Sequence, residues 1–358
     1  MMETDDALKF IQSNSFCLWM GSGVARYLSA PGGHPTPLWG ELVALLEKRH
    51  NIVSGGGSLP QRMEILRRVL GHQRFQKEIR ELVLIRLAKS LIAMGAAGPE
   101  IPLEVANLAT FAQNAEAIVS FNVETITSTL ASSGSYELKS FEPPAREATG
   151  LLSKRASFFK DPVYKYLFHP HGAIDMQGLC VLAESDYQSI DNTLTSALAI
   201  HLCYQKNLVI IGMSLDDMYL LKQLAKERMK IRTILWFADD EAISHSHKWI
   251  TSCRISVVRI FDWLSFWQRV AEKLPQPSKL RLHLRWLNTL RYCFEMVAGK
   301  NRVAQELARK GGDNIDQFFI NRGEFSEEPL EEEMILTAAM RDRVIAQQLI
   351  AISKLVKT

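Results

Sequence analysis

The sequence has no closely spaced pair of cysteines. Its five, Cys17, Cys180, Cys203, Cys253 and Cys293, are scattered over 358 residues. No CxxC occurs, which excludes a CxxC…CxxC zinc site, and the odd count argues against a disulfide framework. Long apolar runs are missing as well. No stretch reaches the length of about 18 residues that a membrane helix needs, so no membrane association is expected. The N-terminal MMETDDALKF lacks a signal-peptide pattern. A reducing cytoplasm is the expected setting. Charge of one sign is not in excess either. The 42 basic and 39 acidic residues leave +3, too near neutral to argue for direct nucleic-acid binding. There is no internal repeat and no low-complexity tract.

What is present is an ordinary globular balance, 47% hydrophobic and 23% charged, in a chain long enough for one large or two ordinary domains. Six short apolar runs stand out: FCLWM (16–20), AIVSF (117–121), YKYLF (164–168), LVIIG (208–212), TILWFA (233–238) and ISVVRIF (255–261). Their length and their Ile, Val and Phe content suit strands buried on both faces. Helical patterns such as LWGELVALLEKRH and DDMYLLKQLAKERMK lie between most of them. The alternation predicts an α/β, Rossmann-like fold with a mostly parallel sheet. Residues from about 40 to 115 read as a helical insertion. The triplet in NIVSGGGSLP reads as linker, because no Lys-Ser/Thr follows it as a phosphate loop requires. PQPS near residue 275 marks a break before a C-terminal helical region, 276–358. There LRLHLRWLNTLRYCF places Leu280, Leu284, Leu287 and Leu290 near helical spacing, for packing onto the main domain or for a partner face. FSEEPLEEE reads as a solvated helix start.

In a parallel sheet, ligands bind beyond the carboxyl ends of the strands. Four of the six runs carry small, polar or histidine residues there. After the first comes Gly21-Ser22-Gly23, where backbone N–H groups can approach a pyrophosphate. It is not a full GxGxxG, which disfavours an ordinary hydride-transfer dehydrogenase. After the second comes Asn122, which can orient a ribose hydroxyl or a water, or can cap the next helix. After the third comes HPHG. A metal site would need further ligands, and His201, His245 and His247 show no family spacing, so no metal is expected. Pro170 and Gly172 can fix His171 at a crevice mouth, where an imidazole suits general-base work.

The ordered set resembles the sirtuin superfamily, and within it the bacterial sirtuin-like branch found in antiphage defence. MGSGVA is similar to that branch's GAGxS, SFNVETI to TxNxDxLL, HPHGAID to LHGSI, and GMSLDD to GxSLxD. VLAESDY (181–187) is also similar to a stretch usual there. The likeness spans about residues 8 to 265. The sequence departs from the pattern at Ser22, at Ala25 in place of the later serine, and at Val123-Glu124 in place of Tyr-Asp. The zinc cysteines of deacetylating sirtuins are absent.

The resemblance implies a catalytic domain over 1–275 that takes NAD as substrate and breaks the nicotinamide–ribose bond through a sugar-cation transition state. It implies Asn122 as the residue orienting ribose and water, and His171 as the base, with His169 structural or supporting the site from behind. Gly21, Ser22 and Gly23 would hold the pyrophosphate, Glu124 would face the nucleotide, and Gly212, Ser214 and Asp216 would lie near the adenosine ribose. It further implies an NAD glycohydrolase that depletes NAD in defence and is silent until activated by oligomerisation or by a partner. Argonaute-like proteins, HerA-type ATPases and nucleotide-processing enzymes serve as partners in that branch. A non-catalytic NAD or ADP-ribose sensor and a sirtuin-type deacylase or ADP-ribosyltransferase are the alternatives.

Overall fold

A computed structural model describes residues 2–33, 35–97, 100–132, 138–141, 165–175, 180–189, 192–215, 217–277 and 279–298. Among these residues seven strands form one sheet: β1 (Phe16–Met20), β2 (Ala115–Ser120), β3 (Leu138–Phe141), β4 (Lys165–Phe168), β5 (Asn207–Ile211), β6 (Ile234–Ala238) and β7 (Ser256–Arg259). Their order is β3-β4-β2-β1-β5-β6-β7, and every neighbouring pair is parallel.

The architecture is thus α/β and Rossmann-like. Each of the six apolar runs forms a strand. The seventh, β3, has no such signal, because Lys139 and Ser140 interrupt its four residues. Among the described residues it pairs only with β4, at the end of the strand order.

Strand periodicity sorts the core into two layers. Phe16, Leu18 and Met20 face one side with Val209, Ile211, Leu235 and Phe237. Cys17 and Trp19 face the other with Leu208, Ile210 and Trp236. Helices cover both faces, which is why β1, β5 and β6 are buried at every position.

From β1 the chain moves outward to β2 and then to β3 at the edge, and β4 fills the place between them. It restarts on the opposite side of β1 with β5. The topological switch point therefore lies between β1 and β5.

Between β1 and β2 lie the helices Trp39–His50, Leu59–Leu70, His72–Ile79, Arg86–Ala97 and Leu103–Ala112. The glycine triplet precedes the second of these, and Ser58 N–H donates to Gln61 Oε1 there at 3.0 Å. The first three helices build a third apolar cluster from Leu42, Leu46, Met63, Leu66, Phe75 and Ile79. Val123, Cys180 and Leu182 complete it. The insertion is thereby seated on the chain segments that follow β2 and β4.

The helix Lys279–Ala298 is not a separate layer. Its Leu282, Trp286, Leu290 and Cys293 are buried in the same cluster as the sheet. The side chains of Leu280 and Leu284 lie outside what the structure describes, as do residues 299–358, which include FSEEPLEEE and the last helical patterns.

Candidate functional site

The parallel register sets the four motifs level with one another. Trp19 pairs with both Val119 and Ile210, and Val119 pairs with Phe168. Three residues beyond these four stand Ser22, Asn122, His171 and Met213. The motifs thus end at one height on the carboxyl edge of four adjacent strands.

Asn122 is 3% exposed, and neither its Oδ1 nor its Nδ2 has a hydrogen-bond partner. A buried amide left in this state costs about 1–3 kcal/mol. It does not cap the helix Ile126–Ala131. That task falls to Glu124, whose carboxylate accepts from Thr127 N–H at 2.9 Å and from the Thr127 hydroxyl at 2.7 Å. Glu124 is wholly buried. Burial raises its carboxyl to about 7, opposed by the Thr127 bonds and assisted by nearby Asp175. The Glu124 carboxylate is therefore turned to local structure.

The two histidines differ. His169 is fully buried, with Nε2 3.0 Å from Ser128 Oγ. Burial lowers its pKa to about 4, against the opposing pull of Asp175 and the Asn122 backbone. It is a neutral core residue near pH 7. His171 is only partly buried. Gly172, at φ +65°, turns the chain just after it; a residue with a Cβ would be strained there. Phe121 and Tyr187 each meet the His171 ring edge-to-face, both at 5.4 Å between ring centres. Its Nε2 lies 3.4 Å from Asp217 Oδ2. Burial, and secondarily the Asp217 charge, raise the Tyr187 phenol above its ordinary pKa, so Tyr187 is a neutral wall of the site.

Hydrogen bonds tie the loops that carry Asn122 and His171. Ile174 N–H donates to Val123 O at 2.8 Å. Thr125 donates both its N–H and its hydroxyl to Asp175. On the far side, Val181 N–H donates to His171 O at 2.7 Å. The stretch VLAESDY then docks on the insertion. Asp186 accepts from Ala183 N–H and from Arg67, and Glu64 accepts from the Ser185 hydroxyl.

The glycine turns interlock. Gly21 N–H donates to Ile211 O at 3.1 Å, and Gly23 N–H donates to Gly212 O at 2.9 Å. A Cβ on Gly21 would lie 2.4 Å from Gly212 O. Gly212 itself has φ +66° and approaches Val24 N. These glycines are required by the crossing of the first and fifth strand ends. Ser22, partly exposed, starts the helix Ser22–Ser29 at this turn.

The structure therefore assembles Gly21, Ser22, Gly23, Asn122, His171, Gly212 and exposed Ser214 on one edge, and it sets Glu124 beneath that edge. Asp216 lies outside the described residues. Sequence reasoning missed Asp217 and Tyr187. In GMSLDD the second aspartate, not the first, falls on the last position of GxSLxD, and that alignment would have found Asp217. No group of three or more His, Cys, Asp or Glu side chains suited to a metal occurs among the described residues. No helix among them is long and apolar enough to cross a membrane.

Residues 157–258 match the family model described as a SIR2-like domain. No curated protein matches the chain. The matched stretch carries His171, Tyr187 and Asp217, whereas Gly21 and Asn122 lie before it. The match and the parallel α/β sheet support a Sir2-like assignment and an NAD-related function in general.

Proposed function

We propose that the chain is an NAD glycohydrolase, releasing nicotinamide and ADP-ribose, and that it acts as an NAD-depleting effector in bacterial antiphage defence. The observation that carries this reading is the unpartnered, buried Asn122 amide, level with a partly exposed His171 on the adjoining strand end. A folded protein keeps such an amide unsatisfied where a ligand will satisfy it. Asn122 offers both a donor and an acceptor to the nicotinamide ribose and the attacking water. His171 takes a proton from a ribose hydroxyl or from that water, a contribution of about 10²–10⁴ in rate. Ser22, at a helix start beside the switch point, receives the pyrophosphate, and Ser214 lies toward the adenosine ribose.

Free depletion of NAD would kill the host, so activity is held silent until oligomerisation or a partner protein releases it. The partner classes implied by the resemblance are Argonaute-like proteins, HerA-type ATPases and nucleotide-processing enzymes. The test incubates NAD with wild type, Asn122→Ala and His171→Ala. Each is run alone and with neighbouring-gene proteins and lysate of infected cells, and nicotinamide and ADP-ribose are separated chromatographically. Nicotinamide release on activation, lost in both variants, is expected. Intact NAD in every sample together with tight NAD binding would replace the hydrolase by a sensor.

A further inference from the structure

We infer that Asp217 is a positioning residue for His171: it holds the proton on Nε2 and so leaves Nδ1 as the nitrogen that accepts a proton. The inference rests on the reading of His171 as the base, and it adds a residue to which that reading gave no role.

Three observations converge. First, Asp217 Oδ2 lies 3.4 Å from His171 Nε2, and both side chains are about equally shielded, at 18% and 17% exposure. Second, Asp217 is itself fixed. Its Oδ1 accepts from Leu220 N–H at 3.0 Å, and its carbonyl accepts from Leu221 N–H at 2.9 Å. It thus caps the helix Met218–Glu227, and the cap aims the second oxygen at the imidazole. Third, the His171 ring is confined between Phe121 and Tyr187, so it cannot easily turn away from that oxygen.

A neutral imidazole has one N–H and one lone pair, and the partner of one nitrogen decides which is which. A carboxylate only accepts, so it selects the Nε2–H form. The 3.4 Å separation is long for a hydrogen bond, as is common before a substrate closes a site. Where a carboxylate–histidine pair serves a catalytic base, replacing the carboxylate by its amide leaves the shape intact and stabilises the wrong tautomer.

The test uses two variants that keep the helix cap. Asp217→Asn retains the shape and the capping oxygen but can present an N–H to Nε2. Asp217→Ser caps well and removes the group facing the ring. Protein labelled with ¹⁵N-histidine, with the His171 signals assigned by their loss in His171→Gln, reports which ring nitrogen carries the proton. Wild type is expected to show a protonated Nε2. Asp217→Asn is expected to move the proton toward Nδ1, and Asp217→Ser to give a mixture. Activated nicotinamide release should fall at least tenfold in Asp217→Asn and less in Asp217→Ser, with the loss in kcat; the comparable carboxylate-to-amide change elsewhere reaches ~10⁴-fold. Identical ring signals in wild type and Asp217→Asn would overturn the inference, as would a moved proton with undiminished turnover. If wild type cleaves no NAD under any condition, the glycohydrolase reading fails, and the ring signals alone decide whether Asp217 sets the tautomer.

Discussion

Asp175 holds Thr125 by two groups at once. Its carboxylate accepts the Thr125 backbone N–H at 3.2 Å and the Thr125 hydroxyl at 2.7 Å. Thr125 follows Asn122 by three residues, and Asp175 follows His171 by four. The pair therefore fastens the two loops that carry the proposed chemistry. Tyr292, from the helix Lys279–Ala298, donates its hydroxyl to the same carboxylate at 3.1 Å. Asp175→Ala leaves the Thr125 donors without their acceptor, and a loss of about 1–3 kcal/mol in urea unfolding is expected. Activated nicotinamide release should fall further than Asp175→Asn reduces it, since the amide keeps one accepting oxygen. Full activity in Asp175→Ala would show that the two loops keep their relative placement without this tether.

Asn122 predicts the opposite balance of stability and function. Its amide gains nothing from the folded chain, because neither polar atom is partnered. Asn122→Ala should therefore leave the melting temperature unchanged or raise it while abolishing NAD cleavage. Differential scanning calorimetry with a turnover assay separates the cases. A Tm drop of several degrees would mark Asn122 as a structural residue, since a loss of about 1 kcal/mol shifts Tm by about 2–4 °C in a domain of roughly 150–250 residues and by less in a larger one.

Two buried groups titrate in opposite senses and give the pH dependence. Glu124 stands at about 7 in the fold against an ordinary 4.5. Its folded pKa is raised, so its favourable contribution is full below about 4.5 and is lost as pH rises through about 7. His169 stands at about 4 against 6.5. The unfolded chain then binds the proton first, so His169 destabilises the fold progressively as pH falls from about 6.5 toward 4. Glu124→Gln removes the first effect while retaining a side-chain oxygen for Thr127 N–H. At pH 8 it should exceed wild type by an amount on the order of 2–3 kcal/mol, with no advantage at pH 4.5. Because Glu124 is buried beneath the crevice, the KM for NAD should not change. A changed KM would return Glu124 to direct contact with the nucleotide.

The sheet was legible because strands buried on both faces must be apolar throughout, and six of seven announced themselves that way. The seventh did not, since LKSF carries Lys139 and Ser140 within four residues and so shows no apolar run. The crevice was legible because Asn122 and His171 break apolar runs at the one edge where a parallel sheet offers a site. What could not be read was the direction of each polar group. Gly21 and Gly23 look like a phosphate turn, yet their N–H groups are spent on Ile211 and Gly212. Glu124 looks like a ligand carboxylate, yet it closes a local cap. Asp217 looks like an ordinary helix cap and is one, but its second oxygen points to a histidine 46 positions earlier. Sequence spacing reports which residues reach an edge, whereas the partners of each oxygen depend on packing between distant segments.

The helix Lys279–Ala298 decides where the chain can be cut. Trp286 and Leu290 are each 2% exposed and Cys293 is fully buried, all within the main core. Contact with the insertion is close at Gly95, where a Cβ would lie 2.8 Å from Leu290 Cδ1. Truncation after 275 strips this helix from the sheet and exposes its apolar bed, so an aggregating product is expected. Truncation after 298 keeps the bed covered and should leave a folded chain. Leu290→Ala should cost about 2–5 kcal/mol, and Gly95→Ala should destabilise by crowding the same contact. Circular dichroism melts of the two truncations check the boundary, and a cooperative melt from the 275 truncation would show that the core closes without this helix. The 298 truncation then becomes the material for regulation: NAD cleavage without any activator would locate the silencing element in residues 299–358, and continued silence would locate it in the folded body or in a partner.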